Sequence, residues 1–346
     1  MELTKRDNQM AQGVAILAML MLHLFCRRED LPYEPLLWIG NVPFIYYLGL
    51  FGDLCVPTYC FCSGYAQSVL SEKEQELYGK KRFDRLLKFL LNFWIVLILF
   101  AVVGLFFDKS GSIPGSLTEF LGNALLYGLS YNGAWWFVLT YVWLVLLAPV
   151  FIWLTEKLHP LLLFLASGAV YFVAYVFRFA IILEFDSSAV SWLWQQVILL
   201  GTSQFSFVLG LLCYRHRIIS KIRTRWPKGN CGVALCVALP VAMFVLHCVE
   251  VSLIIAPITG LTTLLCFHVF PKPEWMCKFF AWVGRHSTNI WLVHMFFYLK
   301  LFAGFAYIGR YPLFVFLLLF GASLAVSYIV MAVYRPAAAL VDRKND

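Results

Sequence analysis

The chain has 346 residues, 62% of them hydrophobic and 13% charged, and its mean hydropathy is +0.78. A soluble domain carries about 25% charged residues. This chain lacks the charge to coat a water-facing surface, which excludes a soluble enzyme, a disordered protein and a nucleic-acid-binding module. Its net charge of +8 has to be read through where the cations fall.

These properties predict an all-α polytopic membrane helix bundle. A span needs about 20 mostly apolar residues. Ten segments qualify: 9–26, 43–70, 87–107, 133–155, 160–178, 192–214, 231–249, 252–270, 279–301 and 312–334. No small-residue cleavage site follows Met10 to Phe25, so that segment reads as a first span. Pro43 and Pro57 mark the second segment as kinked or broken. Residues 117–130 are expected to form a short helix at or dipping into the membrane. No internal repeat and no soluble domain stands out, so 1–346 reads as one integral-membrane domain.

Orientation follows from the loops. With a cytoplasmic N-terminus, twenty of the 27 Lys and Arg residues fall on inner segments, from Lys5 and Arg6 to Arg335, Arg343 and Lys344. Six fall outside: Arg27, Arg28, Lys109, Arg178, Lys300 and Arg310. Both termini are therefore expected inside, and the basic excess is mainly a topology signal. The ten cysteines form no C-x-x-C pair and no Cys/His metal spacing. They read as small buried hydrophobes, and no metal is expected.

Polar groups in hydrocarbon are costly and usually line cavities or sites. His23 lies near the outer end of the first span, either as a packed histidine or as a site residue. Gln12 is eleven residues earlier, three turns plus about 20°, so the two share a face. Lys5 joins them if the helix extends that far. Asp53 and Ser63 follow in the second segment. Asp53 is placed to orient an imidazole or bind a polar substrate, or to sit at the interface. Ser63 and Gly64 read equally as helix-packing residues. Arg82 and Arg85 share one face at the inner end of the third span, as a diphosphate clamp or an anionic-lipid anchor. The basic loop from Arg215 to Lys228 reads as such an anchor. Trp135 and Trp136 are candidates for an interfacial belt or a substrate contact. Gly284 through His294 is unusually polar for a span, and Ser287, Trp291 and His294 share a face. Arg285 stands at its inner end.

At these residues the chain resembles the acyltransferase 3 family, the integral-membrane O-acyltransferases of bacterial surface glycans. Gly13 through His23 is similar to the family's opening motif, and 56–65, ending in Ser63-Gly64-Tyr65, to its Ser-Gly-aromatic segment. Arg82 through Leu87 resembles its Arg-rich approach to the third span. Ser287 through His294 resembles its Ser-x-x-x-Tyr-x-x-His motif, with Trp291 in place of tyrosine. Gln12 stands where the family usually has arginine, and Pro57 where many members carry aspartate. The chain has no room for the esterase domain that some members add.

The resemblance implies a reaction and a location, a bacterial plasma membrane. Acetyl-CoA enters from the cytoplasm, with no metal, and the acyl group passes to a sugar hydroxyl of a surface or capsular polysaccharide, or its lipid-linked precursor, at the outer side. His23 is implied as the general base. Arg82, Arg85, Arg285 and Ser287 are implied to hold the donor; Gln12, Asp53, Ser63, Trp135, Trp291 and His294 are the supporting or substrate-contacting candidates. A transporter or flippase for a polar or lipid-linked glycan is the alternative; it would move substrate without consuming CoA.

Overall fold

The structure is a computed structural model that describes residues 2–250 and 252–343. Lys344, one of the inner cations counted above, lies outside the described residues. Helix makes up 78% of the chain. The helices are α1 (Lys5–Phe25), α2 (Phe44–Phe51), α3 (Cys55–Lys73), α4 (Tyr78–Phe107), α5 (Leu117–Ala124), α6 (Trp136–Lys157), α7 (Pro160–Phe179), α8 (Ser188–Arg215), α9 (Ile218–Arg225), α10 (Gly229–Val249), α11 (Ala256–Val269), α12 (Glu274–Val293) and α13 (Pro312–Arg343). A two-residue hairpin, β1 (Trp38–Ile39) and β2 (Val42–Pro43), precedes α2. The protein is an all-α polytopic helix bundle.

Eight of the ten expected segments correspond to helices long and apolar enough to cross a membrane, by length and composition, among the described residues. The other two are different in kind. The 252–270 segment opens with a 3-10 turn at Leu253–Ile255, and α11 itself has 14 residues. The 279–301 segment is not one helix: α12 stops at Val293 and the chain tightens into a 3-10 turn over His294–Phe297. The basic 215–228 stretch, read as a loop, contains α9. α4 begins at Tyr78, so Arg82 and Arg85 stand on the helix, as their spacing implied. The 43–70 segment breaks at Gly52–Leu54, between its prolines, where Gly52 lies against the Ala18 carbonyl of α1 and any β-carbon would overlap it. Pro57 sits in the first turn of α3, a position that needs no N–H donor.

Contacts divide the chain into two compact units: Met1–Leu22, Tyr47–Glu76 and Thr140–Arg285 form the first, and His23–Tyr46, Leu77–Leu139 and His286–Asp346 the second. Four helices, α1, α2, α6 and α12, therefore contribute residues to both.

In the first unit α3 packs on α8, with Phe61, Cys62 and Tyr65 against Leu209 and Cys213, and with Ile219 of α9 and Leu264 of α11 in the same cluster. Gly64 abuts the Phe207 backbone, which supports the packing reading of the Ser63-Gly64 pair. Leu163 of α7 meets Val208 and Leu212 of α8. α1 crosses α12 where Gly13 meets the Phe280 carbonyl and Gly284 the Gln9 carbonyl. Lipid tails are as apolar as leucine, so close backbone approach of this kind is what holds membrane helices together.

In the second unit Phe93, Val96, Leu97 and Phe100 of α4 pack with Trp135, Val138, Leu292, Phe296 and Val330. Phe100 and Phe296 stack with centroids 3.8 Å apart. The amphipathic α5 starts with a reciprocal cap: the Ser116 side chain accepts from the Glu119 N–H, and the Glu119 carboxylate accepts from the Ser116 N–H.

Candidate functional site

The end of α12 builds the site in the second unit. The last carbonyls of a helix have no intrahelical partner and must find one elsewhere. Here side chains supply it. The Leu292 carbonyl accepts from Asn132 Nδ2 at 2.9 Å and from Trp135 Nε1 at 2.9 Å. The Trp291 carbonyl accepts from His294 Nδ1 at 2.7 Å. With those acceptors engaged, α12 stops at Val293 and the 3-10 turn fixes His294. The donors are themselves held: Asn132 Oδ1 accepts from the Ala134 N–H and caps the 3-10 turn at Gly133–Trp135. Trp291 Nε1 reaches back to the Ala134 carbonyl at 3.1 Å.

Three rings meet at this corner. The His23 and His294 rings lie edge to face, with centroids 4.8 Å apart. His294 and Tyr298 stack with centroids 5.9 Å apart. Tyr298 Oη is 3.2 Å from His23 Nδ1. A carbonyl only accepts, so His294 Nδ1 carries hydrogen, and in the neutral ring Nε2 is a bare lone pair. That Nε2 is buried without a partner. The corner thus holds a buried ring nitrogen of fixed orientation beside a second imidazole.

The other second-unit candidates surround it. Trp135 is fully buried and packs edge-on against Phe93, so it is a core residue rather than part of an interfacial belt. Trp291 stacks on Phe89 at 6.3 Å and meets Phe137 edge-on. Ser287 is buried. Nearer the start of α4, Arg82 is half-buried with its guanidinium over the Tyr78 ring, and Arg85 is exposed.

Four candidates belong to the first unit. Gln12 is half-buried, and its backbone carbonyl, rather than its side chain, accepts from Tyr59 Oη at 3.4 Å. Ser63 is half-buried and Arg285 exposed. Asp53 is buried and its Oδ2 lies 3.0 Å from His247 Nε2. His247 Nδ1 faces the Met243 carbonyl at 3.0 Å. The imidazole that Asp53 orients is thus His247, and the interface reading of Asp53 falls. His247 Nδ1 donates to that carbonyl, so it is not free to activate the neighbouring Thr259 hydroxyl.

Sequence reasoning missed Tyr298, Asn132, His247 and the buried pair Asn92–Asn289. Only Tyr298 had a signal, its position four residues after His294. The others depend on contacts between residues more than 150 apart.

A family model described as an acyltransferase domain matches residues 9–332. No curated protein and no solved structure matches the chain significantly.

Proposed function

The chain belongs to the acyltransferase 3 family, and on that premise we propose that it carries an acetyl group from cytoplasmic acetyl-CoA to a sugar hydroxyl at the outer face of a bacterial plasma membrane. It is a multi-pass membrane acyltransferase. The acceptor is a surface or capsular polysaccharide or its lipid-linked precursor, and both termini are cytoplasmic.

The grouping of His23, His294 and Tyr298 in one corner of one unit carries this reading. His23 takes the proton of the acceptor hydroxyl. The resulting oxygen nucleophile attacks the thioester carbonyl, the C–S bond breaks, and the proton passes to the departing sulfur. A neutral imidazole offers a ring nitrogen that can accept this proton. Arg82 and Arg85, at the start of α4, suit the diphosphate of the donor.

The test is release of free thiol from acetyl-CoA by the protein in proteoliposomes, with and without a surface-glycan fraction. Acceptor-dependent release supports the reading; glycan movement without release supports the transporter. His23→Ala is expected to abolish release while the protein still inserts, and normal release by that variant removes His23 from the mechanism.

A further inference from the structure

A pair of buried carboxamides stands beside the histidine corner, in the same unit. Asn92 of α4 and Asn289 of α12 are 7% and 5% exposed. Asn92 Nδ2 donates to Asn289 Oδ1 at 2.6 Å, and Asn92 Oδ1 is buried with no partner. Each carboxamide has a carbonyl and an amino group. One link between two of them leaves one carbonyl and one amino group open, whichever way the amides are turned. A secondary amide offers the complement, one N–H and one C=O.

The register along the helices says which secondary amide fits. Arg85 precedes Asn92 by seven residues, on the same face and about 10 Å away along α4 at ~1.5 Å per residue. Lys88 lies between them on that face. His294 follows Asn289 by five residues, about 8 Å further on. Phe100 stacking on Phe296 shows that the two helices run the same way from the asparagine pair. The histidine is thus about 18 Å beyond the arginine level, with the carboxamides between.

The pantetheine arm of a CoA thioester has about thirteen bonds from phosphorus to sulfur, or about 16 Å extended at ~1.2 Å per bond. Its second amide, next to the cysteamine carbons, comes about 11 Å along. With the diphosphate at Arg85, that amide falls level with Asn92 and Asn289. The thioester carbonyl then falls within about 2–3 Å of the level of His294, whose ring touches His23.

We propose that Asn92 and Asn289 form the subsite that binds the cysteamine-side amide of the acyl-CoA arm and so sets how far the thioester penetrates toward the histidines. The proposal rests on the acetyl-CoA reading above. The pair would otherwise be only an interhelical clamp, a common use of asparagine in membranes.

The experiment measures binding of CoA and of adenosine 3′,5′-bisphosphate, which lacks the arm, to the full chain in nanodiscs. The double variant Asn92→Leu with Asn289→Leu replaces both partners with apolar groups of similar size, so neither is left unsatisfied. CoA affinity is expected to fall about tenfold in the double variant, with bisphosphate affinity unchanged within about twofold. Asn92→Ala is expected to show the same selective loss at about threefold. Equal weakening of both probes shows a clamp and overturns the subsite. So does unchanged CoA binding. A wild-type protein that binds bisphosphate or CoA in neither case overturns the donor reading and the subsite with it, and is told apart by needing no variant.

Discussion

The Leu292 carbonyl takes two side-chain N–H groups, and each donor covers for the other. Asn132→Ala or Trp135→Phe alone leaves the carbonyl satisfied, so each is expected to cost about 0.5–1.5 kcal/mol. The double variant leaves it bare and is expected to cost more than the sum, because the two share one acceptor. Thermal unfolding in detergent reads both. Tyr298→Phe deletes the hydroxyl beside His23 and leaves the ring stack with His294. Transfer is expected to slow about tenfold with thermal stability nearly unchanged; an unchanged rate would make the contact incidental to catalysis.

Elements in this protein are positioned by where backbones touch and where helices stop. At the crossing of α1 and α12, Gly284 lies against the Gln9 carbonyl with no space for a β-carbon. Gly284→Val is expected to force the two helices apart, lowering thermal stability and the yield of folded protein, whereas Gly321→Val, which has open space, leaves both unaltered. The loop after α4 is held differently. Asp108 accepts from the Ser110 hydroxyl at 2.6 Å, from the backbone N–H groups of Ser110 and Ile113, and from the Ser112 hydroxyl. The Ser110 hydroxyl first, then the others, keep this carboxyl below its ordinary value near 4. Its contribution to folding is therefore present above the unfolded value and is lost as pH falls through the lower folded value. At pH 4 the wild-type loop is expected to resist pepsin longer than that of Asp108→Asn; equal cleavage would show that the carboxylate does not hold the loop.

At the scale of the whole molecule the prediction concerns orientation in the bilayer. Two cysteines are exposed, Cys26 after α1 and Cys231 at the start of α10. With both termini inside, a membrane-impermeant thiol reagent applied to intact cells is expected to label Cys26 and to reach Cys231 only after permeabilisation. The opposite pattern inverts the topology, and with it the side from which the donor arrives. Each of the two compact units is discontinuous in sequence. The histidine corner belongs to one of them, built from the end of α1, the middle of α4, the turn before α6 and the end of α12.

The class of this protein was legible in composition, because too little charge and long apolar runs leave a chain no fold but helices that satisfy their own backbone in lipid. The polar exceptions His23, Arg82, Arg85 and 284–294 were legible for the same reason, since polar residues stand out against hydrocarbon. Trp135 was visible but its burial was not, because tryptophan is as common at an interface as in a core. The prolines announced a break in the second segment, but its place at Gly52–Leu54, the stop at Val293, the Asp53–His247 contact and the Asn92–Asn289 pair were decided only in three dimensions. A helix ends, and an amide or carboxylate finds its partner, according to which distant backbone and side chains arrive beside it, and period and spacing along one chain carry no record of that arrival.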